Sequence, residues 1–112
     1  MIKQTAMTDT EQREISNTII EQLGGGMFRM MTGAKQFTYG GTTTMFRIGR
    51  NGKGVNMVSV TLAPSDTYSV EFLWATVKGT TVRSSYTDVY AEDLRGVFET
   101  ATGLYTRIST IV

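Results

Sequence analysis

Gln36-Phe37-Thr38-Tyr39-Gly40-Gly41-Thr42-Thr43-Thr44-Met45-Phe46-Arg47-Ile48 alternates between apolar and polar residues around a central glycine pair. Period-two alternation marks a half-buried strand, and Gly-Gly suits a two-residue type I′ turn, whose central positions both need positive φ. Pairing Tyr39 with Thr42 sets Phe37 opposite Thr44. One face of the hairpin then carries Phe37, Tyr39, Thr44, Phe46 and Ile48, and the other carries Gln36, Thr38, Thr43, Met45 and Arg47. A hairpin with one apolar face is stable only if something covers that face.

Downstream the pattern continues as strands. Arg50-Asn51-Gly52-Lys53-Gly54 reads as a turn, followed by Val55 to Leu62, apolar on both faces and hence a central strand. Ala63-Pro64-Ser65-Asp66 turns the chain again. Tyr68 to Val77 then sets Tyr68, Val70, Phe72 and Trp74 on the core side, with Ser69 and Glu71 opposite. Lys78-Gly79 leads into a last strand, Thr81 to Tyr86. Upstream, Met27 to Thr32 reads as a strand that Gly33-Ala34 ends in a tight bend or bulge.

The cover comes from the two ends. Thr8 and Glu11 form a capping box ahead of an apolar stripe of Ile15, Ile19, Ile20 and Leu23, which Gly24-Gly25-Gly26 closes, with glycine left over for a hinge or a close backbone approach. Asp88 to Thr102 reads as a second helix. Tyr90, Leu94, Val97, Phe98 and Ala101 form its stripe, Glu92 and Asp93 lie in its first turn, Gly103 terminates it and Leu104 folds back onto Phe98. Gly96 in its middle implies close approach to the sheet. The expected fold class is therefore α+β, in the order α-β-β-β-β-β-α. It is a two-layer domain, with a curved antiparallel meander sheet of about five strands and the N-terminal and C-terminal helices packed on one face. Residues 1–112 make a single domain, with 1–7 and 106–112 as flexible tails; Tyr105 to Val112 alternates and either adds an edge strand or frays.

The chain has 112 residues, no cysteine and no histidine. That inventory removes disulfides, thiolate nucleophiles, imidazole bases and ordinary zinc sites; a Ser-Lys dyad or a carboxylate pair stays open in principle, and no catalytic, metal-binding or cofactor-binding residue is expected. The polar N-terminus and the lack of a long apolar run point to the cytoplasm and away from membranes. Net charge is only +1, yet it is unevenly spread. From Arg29 to Arg83 seven basic residues face two acids, a net +5, whereas the flanks carry four bases and eight acids, a net −4.

Gln22-Leu23-Gly24-Gly25, Met31-Thr32-Gly33-Ala34-Lys35-x-Phe37, Tyr68-x-Val70-x-Phe72 and Tyr90-Ala91-x-x-Leu94-Arg95-x-Val97-Phe98 with Thr102-Gly103-Leu104-Tyr105 together resemble a family of small proteins of tailed bacteriophages and bacterial mobile elements. The resemblance covers about residues 16 to 105; Gly26 and the longer N-terminal lead depart from the pattern. It implies a phage or mobile-element accessory protein and brings no activity, ligand or catalytic residue with it.

Three local patterns invite a functional reading. Asp88 and Glu92 are four apart, as metal-binding carboxylates can be, but acids at a helix start follow from the helix dipole alone. Gly49-Arg50-Asn51-Gly52-Lys53-Gly54 lacks both the spacing and the following helix of a phosphate loop, and reads as a basic hairpin loop able to touch a nucleic-acid backbone or an acidic partner. Lys35 with Phe37 and Tyr39 would make a basic aromatic surface, but the hairpin register sends both rings to the core, as alternation does Trp74. The candidate binding surface is therefore the face away from the helices, centred on Arg47. The candidate residues are Arg29, Lys35, Arg47, Arg50, Lys53 and Arg83, engaging a host protein or a nucleic acid. A second reading makes the exposed face or a sheet edge the contact of a homo-oligomer; a remote third is an enzyme using carboxylates, lysine or a metal.

Overall fold

Thr8 opens the first helix as its sequence requires. The Thr8 hydroxyl accepts the Glu11 N–H at 3.1 Å, and the Glu11 carboxylate accepts the Thr8 N–H at 2.8 Å, so the box is closed in both directions. The computed structural model describes residues 7–106. Within them, helix α1 spans Asp9–Leu23 and α2 Gly25–Thr32. Strands β1 (Lys35–Gly40), β2 (Thr43–Arg47), β3 (Met57–Leu62), β4 (Tyr68–Thr76) and β5 (Gly79–Val89) follow. A 3₁₀ turn, Ala91–Asp93, then leads into α3, Leu94–Thr102. The five strands form one antiparallel meander in the order β1-β2-β3-β4-β5, so the expected α+β architecture stands, with β3 central. The tail expected to fray or add a strand lies outside the described residues beyond Thr106.

Four phenylalanines from four elements meet at the centre. Phe28 of α2 packs edge-on to Phe46 of β2 at 5.5 Å and to Phe98 of α3 at 5.2 Å, while Phe72 of β4 lies 6.2 Å from Phe98. Ile19 and Leu23 of α1 and Leu94 of α3 are buried in the same cluster with Val58, Val60 and Val70 of the sheet. The helices therefore cover one sheet face, α1 over β1 and β2, α3 over β4 and β5.

Three boundaries differ from expectation. Met27 to Thr32 belongs to helix α2, not to a strand. Four of its six residues are apolar, which fits either period, and the pair that ends up buried, Phe28 and Thr32, is spaced four apart as a helix demands. The last strand runs on to Val89, which pairs with Tyr68 and is buried, so the last helix starts only at Leu94 and Tyr90 is 58% exposed. The β1–β2 turn is Gly41-Thr42, because Tyr39 pairs with Thr44 and Gly40 with Thr43. Among the turn glycines only Gly41 takes positive φ, +58°. The slip is two residues, so the paired residues from Thr38 to Met45 keep their expected faces, while a bulge between Lys35 and Thr38 shifts the register by one and brings Lys35 opposite Arg47.

Two glycines are required by contact. At Gly24 (φ +126°) a Cβ would lie 3.1 Å from the Thr106 carbonyl oxygen, where the chain returning from α3 crosses the α1–α2 corner. Thr106 is held there by Arg95, whose Nε donates to its hydroxyl at 3.1 Å, and by Glu99, which accepts its N–H at 2.8 Å. Gly33 (φ +70°) makes the expected bend and meets Gly49 backbone to backbone, the Gly49 N–H donating to the Thr32 carbonyl at 2.8 Å. Gly96, by contrast, has nothing within 4 Å of a would-be Cβ, so it does not serve close packing on the sheet.

Candidate functional site

The meander brings distant basic residues to one end of the sheet. In the register, Lys35, Arg47, Met57, Leu73 and Val82 form a single cross-strand row, one residue from each strand. Lys35 and Arg47 are direct partners and share the face away from the helices. Just beyond this row lie the β2–β3 loop, with Arg50 and Lys53, and the β4–β5 turn, with Lys78. Stretches 47–58 and 72–84, which build this end, contain Arg47, Arg50, Lys53, Lys78 and Arg83 and no acid. None of these five is in an ion pair among the described residues, where the pair found is Arg13–Asp9 at 2.8 Å.

The opposite end is acidic. Asp9 accepts the Tyr39 hydroxyl at 2.9 Å beside the β1–β2 turn. Asp66 sits in the β3–β4 turn, Asp88 near the end of β5, and Glu92 and Asp93 in the 3₁₀ turn. Glu11 and Glu14 border a cavity of about 330 Å³ with Leu62 and Tyr68. Burial, aided by the Asp66 charge, pushes the Tyr68 phenol above its ordinary range. Among the described residues no three acidic side chains gather as a metal-holding group. No helix there is long and apolar enough to cross a membrane.

The basic loop is held by one side chain. Asn51 Oδ1 accepts the N–H groups of Lys53 at 3.1 Å and Val55 at 3.3 Å, and its Nδ2 donates to the carbonyls of Gly49 at 2.9 Å and Val55 at 2.6 Å. With Asn51 tying the loop and Val55 buried in the core, Arg50 and Lys53 project from a fixed base. A second tie comes from β5. Arg83 is an extra residue there, since Phe72 pairs with Ser84 while Leu73 pairs with Val82. A bulge re-aims the side chain it carries, and Arg83 Nε donates to the Gly54 carbonyl at 3.2 Å.

Of the six residues singled out from the sequence, Lys35 and Arg47 therefore lie on the face away from the helices, while Arg50, Lys53 and Arg83 surround the adjoining loop. Lys53 approaches the end of α3, its Cγ 4.0 Å from where a Gly103 Cβ would stand. Arg29 is separate: it sits on α2 with its guanidinium 4.5 Å over the Phe37 ring. The gathering place is an end of the sheet, wrapping both faces, rather than one open face.

Trp74 corrects its assignment to the core. It is 40% exposed and borders a cavity of about 290 Å³ with Arg50, Asn56, Ile48 and Val55. The reason is strand length. β3 ends its pairing at Met57 opposite Leu73, so from Trp74 onward β4 and β5 run alone to Thr76 paired with Gly79, past the sheet's third strand. Asn56 steadies the start of this overhang by acting as one more strand residue: its side chain accepts the Ala75 N–H at 2.7 Å and donates to the Ala75 carbonyl at 2.8 Å. Lys78 and Asn56 are not among the candidates read from the sequence, and Trp74 is there assigned to the core. The usable signal was the unequal length of the alternating runs 55–62 and 68–77, since a strand longer than its neighbour must project. Compared with protein-family models, with curated proteins and with solved structures, the chain matches none of them.

Proposed function

We propose that this chain is a non-enzymatic binding module whose cationic end holds the phosphate backbone of a nucleic acid. The observation that carries the reading is the charge division along the strands: five basic residues free of ion pairs among the described residues, and no acid, in the segments that build one end. A cluster of this kind collects phosphate contacts, and the acids at the far end orient the approaching molecule so that the basic end leads. The resemblance to proteins of tailed phages and mobile elements supports an accessory role in the host cytoplasm, directed at host machinery or defence.

The test is a salt titration with labelled single-stranded and duplex oligonucleotides. Three or four phosphate contacts give a slope of log K against log salt of roughly −3 to −3.5 on a duplex and roughly −2 to −3 on a single strand. Replacing Arg47 and Arg50 together by alanine should lower affinity and flatten that slope by about two. Undetectable binding of both oligonucleotides at low salt overturns the reading. If lysate capture then retains a host protein despite nuclease treatment, the partner is a protein instead.

A further inference from the structure

Resting on the reading of the basic end as a phosphate site, we propose that the cavity beside Trp74 takes an unpaired base, so that the ligand is a single strand rather than a duplex. Trp74 is the single tryptophan of the chain and lies outside the aromatic core that contains Phe28, Phe46, Phe72 and Phe98. Its exposure follows from the overhang and exceeds what the hairpin needs, for the two strands pair through backbone bonds whatever side chain stands there. The cavity of about 290 Å³ lies at the lower edge of small-ligand sites, roughly 300 to 1,000 Å³, which suits one planar group and excludes a helix. Its lining is mixed in the way a nucleotide needs: Trp74 with the apolar Ile48 and Val55 for a base, and Arg50 for its phosphate. Lys53, Lys78 and Arg83 stand in the flanking segments to follow the backbone on either side.

Stacking requires a free π-face, which a base inside a duplex lacks because its neighbours occupy both sides. Phosphate contacts alone would hold single and double strands alike. Base stacking therefore separates the two ligands, and it does so with little dependence on sequence.

The single tryptophan makes the test direct. Oligothymidylate should quench the emission of the wild-type protein on binding, and a duplex of equal length should bind more weakly and leave the emission unchanged. Trp74→Leu, which keeps apolar bulk at a half-exposed position, should lose roughly tenfold or more in affinity for the single strand while the salt slope stays the same. Trp74→Phe should recover part of the loss. If single and double strands bind wild type and Trp74→Leu equally and the emission does not change, stacking is overturned while the phosphate site stands. If neither oligonucleotide binds by anisotropy at low salt, both readings fall.

Discussion

Thr44 is an exception in an otherwise satisfied interior. Its side chain is fully buried on β2, beside Phe46 and opposite Val60, and its hydroxyl has no hydrogen-bond partner among the described residues. Neighbouring buried threonines avoid this: Thr32 and Thr102 donate to the carbonyls four residues back at 2.7 and 2.8 Å, an option that a helix offers and a strand does not. An unpaired buried hydroxyl costs about 1 to 3 kcal/mol. Thr44→Val keeps the β-branched shape and removes the polar atom, so it should raise stability by about 1 kcal/mol, visible as a higher denaturant midpoint with unchanged slope. An unchanged or lower midpoint would show that the hydroxyl has a partner. Asn51 is the opposite case, since its amide reaches four backbone groups of the loop.

At the scale of elements, α3 contains a correctable weakness. Gly96 stands inside the helix on an exposed turn, with open space where a Cβ would go and no positive φ. Gly96→Ala should therefore stabilise the protein by about 0.5 to 1 kcal/mol through helix propensity, whereas a glycine required for contact would lose stability. Thermal unfolding of the two proteins decides the sign. The same locality explains which elements the sequence made legible. In α1 the cap, the stripe and the stopping glycine agree on one answer over fifteen residues. The eight residues of α2 are too few to separate two periods, and its formation rests on Phe28 reaching Phe46 and Phe98, partners far along the chain. The β5–α3 boundary fails for the complementary reason. Tyr90 and Leu94 are four apart and mimic a helix, while the fact that keeps the chain extended, Val89 pairing with Tyr68 across the sheet, has no local trace.

At the scale of the whole molecule, the candidate site was legible in its residue types and not in its place. The basic middle of the chain could be counted, but a meander folds that middle back and forth, and the register decides which bases share an end. Lys35, Arg47, Arg50, Lys53 and Arg83 come together at one end of the sheet, Lys35 at the start of β1, Arg47 at the end of β2, Arg50 and Lys53 in the loop that follows, and Arg83 in the first half of β5; Arg29 does not join them, because its segment is a helix. The overhang has one more consequence. Its outer turn, Val77-Lys78, stands clear of the sheet, with Val77 fully exposed, and beyond Asn56 each of its residues has a single neighbouring strand. A lone two-stranded ribbon is marginal in water, so this tip forms its own low-energy opening unit. Amide hydrogen exchange in residues 76–81 should run much faster than in β3 and should not slow when Thr44→Val raises the global stability. Equal protection in the tip and in β3 would show that the hairpin opens only with the whole domain. If it opens alone, the molecule carries a rigid body and a separately breathing finger, and a ligand seated at the finger's base would be detected first as slowed exchange there.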